Sequence, residues 1–284
     1  MPHSVARLRA ARLARSVKPF LARGGPHGER CAGCRLVLSH CLCALRPAVP
    51  TRAGICLIMA DIEPLKPSNT GWLIADVVAD TFAYGWARTA VDPALLALLA
   101  DPQWQPYVVF PGEYAVPQRV VTRMGAELEN AVIGREINGQ RNGECNGECN
   151  RDEVAVGLAN DGAAVGAIVG APAQKKPLFI LLDATWTEAR KMFRKSPYLT
   201  HLPVLSLQTG QLSRYRLRRA ARDDHLCTSE VAAACLDLAG EPYAAQVLAA
   251  YLEVFTVHYL NARQQLPVDL ESATHRYLRS LLYK

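Results

Sequence analysis

The sequence predicts an α/β fold with a mostly parallel sheet, and three features predict it. Short apolar runs recur along the chain at Ala53–Ala60, Tyr107–Phe110 and Phe179–Leu182. Each is bounded by charge or by turn residues: Arg52 and Asp61 flank the first, Pro111-Gly112 stops the second, and Lys175-Lys176-Pro177 precedes the third. Helix-length segments separate these runs, and parallel neighbours need such crossovers. Finally, the C-terminal third carries helical periodicity over Glu230–Leu238 and Pro242–Gln264, the second long enough to cross a sheet as a core helix. With 284 residues, 50% hydrophobic and 20% charged, the chain can bury a full core.

Taken in order, residues 1–30 are a basic segment. Arg7, Arg9, Arg12, Arg15, Arg23, Arg30 and Lys18 face a single acid, Glu29. Three readings stay open there: a basic helix that contacts RNA phosphates, a solvated tail, or an organelle transit peptide. Residues 31–50 form a cysteine module, and 51–284 make the main domain. After the first strand, a loop with Pro64, Pro67, Ser68, Asn69 and Gly71 leads into a helix from about Trp72 to Thr81. Within about 121–176 lies a polar stretch, Arg135–Glu153, with the tandem repeat Asn142–Cys145 and Asn146–Cys149. It reads as a flexible surface insertion whose Cys145 and Cys149 are free thiols.

The net charge of +6 suits a polyanionic partner. No apolar run approaches the ~20 residues that span a bilayer. The N-terminus lacks a secretory core, so a cytoplasmic protein is expected. Nine cysteines in that setting argue for metal rather than disulfides. Cys31, Cys34, Cys41 and Cys43 (C-x2-C-x6-C-x-C) supply four thiolates within thirteen residues, enough to close a tetrahedral Zn2+ shell. With every position filled by sulfur the role is structural; His40 is a lesser candidate ligand.

The sharpest motif is Asp183-Ala184-Thr185-Trp186, where the third strand ends and a helix over Trp186–Lys195 begins. Thr185 and Glu188 make a capping box, and Trp186, Ala189 and Phe193 mark one apolar face. Asp183 then stands at the carboxyl end of a strand, where open α/β sheets place ligands. The plainer reading, Asp183 as a helix cap and Trp186 as core, stays open. Ser213, Arg214, Tyr215, Arg216, Arg218 and Arg219 suit phosphate contacts and base stacking, or else form a solvated charged face.

These blocks, in order, resemble the DTW-domain family of tRNA-uridine aminocarboxypropyltransferases. The blocks are the cysteine cluster, Ser68-Asn69-Thr70-Gly71, Phe110-Pro111-Gly112, Asp183-Ala184-Thr185-Trp186 with Glu188-Ala189-Arg190-Lys191, Tyr215-Arg216-Leu217-Arg218, and Leu226-Cys227-Thr228-Ser229-Glu230. The sequence departs from the family pattern at Cys227, usually serine, and at Val231, usually alanine.

The resemblance implies a SPOUT-like fold, knotted in its C-terminal part, that binds S-adenosylmethionine as co-substrate. It implies transfer of the 3-amino-3-carboxypropyl group to N3 of a tRNA uridine, in the variable loop as in bacterial relatives. By the same resemblance Asp183, as general base or orienting group, is catalytic with Thr185 and Trp186. Phe110, Pro111, Gly112, Leu182, Asp183, Leu226, Cys227, Thr228 and Glu230 form the S-adenosylmethionine pocket. Asn69, Lys191, Arg194, Ser213, Tyr215, Arg216, Arg218 and Arg219 contact tRNA. Zinc is the structural metal, and neither a membrane nor an obligate protein partner is implied. The alternatives are an RNA methyltransferase on the same fold and a non-catalytic zinc-containing RNA-binding protein.

Overall fold

The computed structural model describes residues 2–17, 28–124, 175–207 and 226–283, all within one structural unit. Six strands form the sheet: β1 (Gly54–Met59), β2 (Thr81–Gly85), β3 (Trp104–Val109), β4 (Val120–Val121), β5 (Lys176–Asp183) and β6 (Val204–Leu205). Their order is β2-β1-β5-β3-β6-β4, and every pairing is parallel. The predicted class therefore holds. Each of the three apolar runs is a strand, and β1 is buried at all its residues, as a strand covered on both faces must be.

Side chains leave a strand alternately to its two faces. Ile55, Leu57 and Met59 of β1 join Phe179 and Leu181 of β5 and Tyr107 and Val109 of β3 in one core. Cys56, Ile58, Leu178, Ile180 and Val108 join the other. The first core is closed by α1 (Ser4–Ala14), α2 (Gly71–Val77), α5 (Thr228–Leu238), α6 (Pro242–Gln264) and α7 (Ala273–Leu282). On the opposite face lie α3 (Pro93–Ala100) and α4 (Trp186–Lys195). No described helix is long and apolar enough to cross a membrane.

The expected helix over Trp72–Thr81 is a correction. It stops at Val77, and Thr81 opens β2 instead. Val78 is already extended and bridges Val49, and Thr81 to Gly85 pair with β1. A β-branched pair followed by a turn and an aromatic-rich run suits a strand better than a third helical turn. At the N-terminus, residues 4–14 are a helix seated on the body rather than a solvated tail. Val5 is fully buried, Arg9 donates to the carbonyls of Pro64 and Leu65 at 3.1 and 2.7 Å, and Arg12 pairs with Asp61 through two 2.8 Å bonds. The cysteine module shares the first core through Cys34, Leu36 and Leu42. Most of the expected insertion, including Cys145 and Cys149, lies outside the described residues. So does the 208–225 segment.

β1 runs through α2 on one face to β2 on one side. β5 runs through α4 on the other face to β6 on the other side. The adjacent carboxyl ends of β1 and β5 are thus a topological switch point, where the two connections diverge and leave a crevice.

Candidate active site

Asp183 ends β5 in that crevice, paired in register with Met59, and only 3% of it is exposed. Its Oδ2 accepts from Asn69 Nδ2 at 2.7 Å, and its Oδ1 accepts from Thr228 Oγ1 at 2.7 Å. Charge-assisted bonds of this kind stabilise an ionised carboxylate. Thr228 is also the first residue of α5, so the positive end of that helix dipole lies on the same side.

The loop between β1 and α2 holds Asn69 in place. Asn69 Oδ1 accepts from the Trp72 N–H at 3.1 Å, while its Nδ2 faces Asp183 and, at 3.4 Å, Glu63 Oε2. One N–H on one side and two carboxylates on the other leave a single sensible amide orientation. Glu63 is fully buried and pairs with Lys66. Gly71 is where the loop approaches most closely: a Cβ there would lie 2.7 Å from Asp183 Oδ2 and 3.2 Å from Asn69 Oδ1. Thr70 Oγ1 accepts from the Ser229 N–H at 3.3 Å and ties the loop to α5.

A second centre lies in the cysteine module. The sulfurs of Cys31, Cys34, Cys41 and Cys43 all fall within 4.8 Å of one another, with separations of 3.5 Å (31–43), 3.6 Å (31–41) and 3.8 Å (34–41). Zn–S bonds of about 2.3 Å at tetrahedral angles put sulfurs roughly 3.8 Å apart, so this spacing fits a metal ion. Backbone N–H of Cys34 draws the Cys31 thiol down to about 7, whereas burial pushes Cys34 and Cys43 up. A divalent cation is what would hold all four as thiolates. Gly33 leaves room for the sulfurs, since a Cβ would sit 2.7 Å from Cys43 Sγ.

The chain matches the DTW domain over residues 28–260, a span that includes both centres. It belongs to the DTW-domain family. That family is related to the tRNA-uridine aminocarboxypropyltransferases, and membership supports a tRNA-modifying function in general. No solved structure matches the chain.

In this DTW protein the Asp-Thr-Trp residues have three different surroundings. Thr185 caps α4: its Oγ1 accepts from the Glu188 N–H at 3.4 Å and donates to Glu188 Oε2 at 2.6 Å. Trp186 is half-buried and stacks on Phe110, with centroids 5.4 Å apart and planes 10° apart. Tyr114 meets both rings edge-on, and Arg190 lies over Tyr114. Thr185 is thus placed as a helix cap and Trp186 in an aromatic cluster, while Asp183 alone is set into the crevice.

Other expected residues gather at the same sheet edge. Phe110 follows β3, and Gly112 donates its N–H to Ser206 Oγ at 3.0 Å. Leu182 precedes Asp183 in β5. Cys227 caps α5, donating its N–H to Glu230 Oε2 at 2.7 Å, and the packing around its sulfur pushes the thiol up. The reciprocal half is present too, with the Cys227 sulfur facing the Glu230 N–H. Asn69, grouped with the tRNA contacts from sequence, is 1% exposed and belongs with Asp183. Lys191 and Arg194 are exposed on α4. Ser213, Arg214, Tyr215, Arg216, Arg218 and Arg219 lie outside the described residues. Sequence reasoning took Gly71 only as a loop and motif residue, and it missed Glu63 and Arg35, whose guanidinium donates to the carbonyls of Lys66 and Asn69. Only the glycine left a trace, as the one small residue between Asn69-Thr70 and an apolar helix.

Proposed function

We propose that this DTW protein transfers the 3-amino-3-carboxypropyl group of S-adenosylmethionine to N3 of a tRNA uridine in the variable loop, releasing methylthioadenosine. The observation that carries the reading is the buried Asp183, held by Asn69 and Thr228 at the switch point of a DTW-family sheet. When bound, S-adenosylmethionine supplies the electrophile, a sulfonium whose methionine Cγ takes the N3–Cγ bond as the Cγ–S bond breaks.

The residues of the chain supply position and charge. Asp183 faces the uridine N3–H, either taking that proton as N3 bonds to Cγ or orienting it for loss to solvent, while the electron pair of the broken Cγ–S bond leaves with methylthioadenosine. The bonds from Asn69 and Thr228 to its two oxygens hold the carboxylate in place for that contact. Phe110, Pro111, Gly112, Leu182, Leu226, Cys227, Thr228 and Glu230 line the co-substrate side of the crevice. Presenting Cγ rather than the methyl group is their main contribution. Lys191 and Arg194, together with Ser213, Tyr215, Arg216, Arg218 and Arg219, track the tRNA backbone. Zn2+ at Cys31, Cys34, Cys41 and Cys43 is structural, its shell closed by four sulfurs.

Nucleoside mass analysis of tRNA incubated with the protein and S-adenosylmethionine tests the reading. A uridine carrying the aminocarboxypropyl mass is expected. A product heavier by only a methyl group would make the protein a methyltransferase, and unmodified tRNA would make it a binding protein. Asp183→Ala is expected to abolish transfer while tRNA still binds in a gel-shift titration.

A further inference from the structure

The chemistry of the crevice depends on where Asn69 is held, and the loop that carries Asn69 is anchored to the cysteine module. Arg35 directly follows Cys34 in that module, with φ of 67°, a left-handed conformation uncommon outside glycine. Its side chain, in a residue only 3% exposed, leaves the module and runs under the Trp72 ring, 4.3 Å from the centroid. From there it donates to the carbonyl of Lys66 at 2.9 Å and to that of Asn69 at 3.0 Å. A second link runs the other way, from Trp72 Nε1 to the carbonyl of Gly33, at 3.0 Å. Gly33 and Arg35 bracket Cys34, so both links begin beside a thiol of the metal centre.

We propose that Arg35 is a positioning residue that couples metal occupancy of the four cysteines to the Asn69–Asp183 pair. It rests on the reading of the cysteines as a zinc site. Metal fixes the turn from Cys31 to Cys34. That turn sets the direction in which Arg35 leaves, and the guanidinium fork holds the backbone of Asn69 so that its amide meets Asp183. Lysine keeps the charge at this position but lacks the planar fork that reaches two carbonyls while stacking on an indole.

The test reads the Asn69 side-chain amide by 15N NMR, assigned by its loss in Asn69→Ser. In zinc-loaded Arg35→Lys, zinc content is expected to match wild type and the fold to persist with a lower melting temperature, while the Asn69 amide resonances move. In the same variant kcat of transfer should fall roughly 10- to 100-fold with little change in KM for tRNA. Stripping zinc from the wild type with a chelator should displace the same resonances. Unmoved Asn69 resonances in Arg35→Lys would overturn the proposal. Loss of zinc from that variant would also overturn it, since Arg35 would then serve the metal site's own fold. Movement of the resonances in both experiments supports the coupling even if the protein proves to catalyse a different tRNA modification.

Discussion

Within the crevice, single atoms decide what is allowed. Gly71 opens α2, where alanine would ordinarily stabilise a helix by about 1 kcal/mol. Here its Cβ would come within 2.7 Å of Asp183 Oδ2. Overpacking costs about 1–3 kcal/mol, and the atom struck is one that Asn69 also needs. Gly71→Ala is therefore expected to lower the melting temperature and to reduce transfer strongly; a more stable, fully active variant would show that the loop sits elsewhere. Asp183 was legible from sequence because it ends an apolar strand just before a capping box. Its partners were not, since Asn69 and Thr228 lie 114 and 45 residues away and no local pattern links them.

Among the elements, α6 and α7 are joined by a buried chain of imidazoles with a single consistent proton arrangement. His258 Nδ1 donates to the His40 carbonyl at 3.0 Å, so its Nε2 accepts from His275 Nε2–H at 2.8 Å. His275 Nδ1 then accepts from Ser272 Oγ at 2.7 Å. Burial lowers both histidines below the ordinary value of 6.5. Their contribution is therefore complete above that value and is lost as pH falls through it towards their lower folded values. Asp76 runs the other way: burial raises it to about 6, so its contribution declines as pH rises from 3.8 towards that value. A comparison of variants separates the two effects. Between about pH 7.5 and pH 5 the urea midpoint of the wild type should drop further than that of a His258→Leu/His275→Leu double variant. Equal drops would mean that the pair does not titrate in this range. The α6 boundaries Pro242–Gln264 were readable from periodicity. The role of its histidine was not, because the partner lies on another helix.

At the scale of the whole molecule, the cysteine module and the sheet domain share one core through Cys34, Leu36 and Leu42. Removing metal should therefore lower the melting temperature of the entire unit as one transition, since the module's apolar residues cannot loosen without opening the core beneath α6. Differential scanning calorimetry with and without a chelator measures this. A separate low-temperature transition would show the module to be independent.

By itself the sequence determined the fold class, the α4 capping box, the cluster of four cysteines that can hold a metal ion, and the family. Each of these is written in local spacing: apolar runs of strand length, Thr185 three residues before Glu188, four thiols within thirteen residues. Only the tertiary structure decided that Asn69 serves Asp183 rather than the surface and that Arg9 and Arg12 hold α1 to the body. The physical reason is the same in each case. A side chain's role is set by the partner it meets, and a parallel sheet brings together loops that are far apart along the chain.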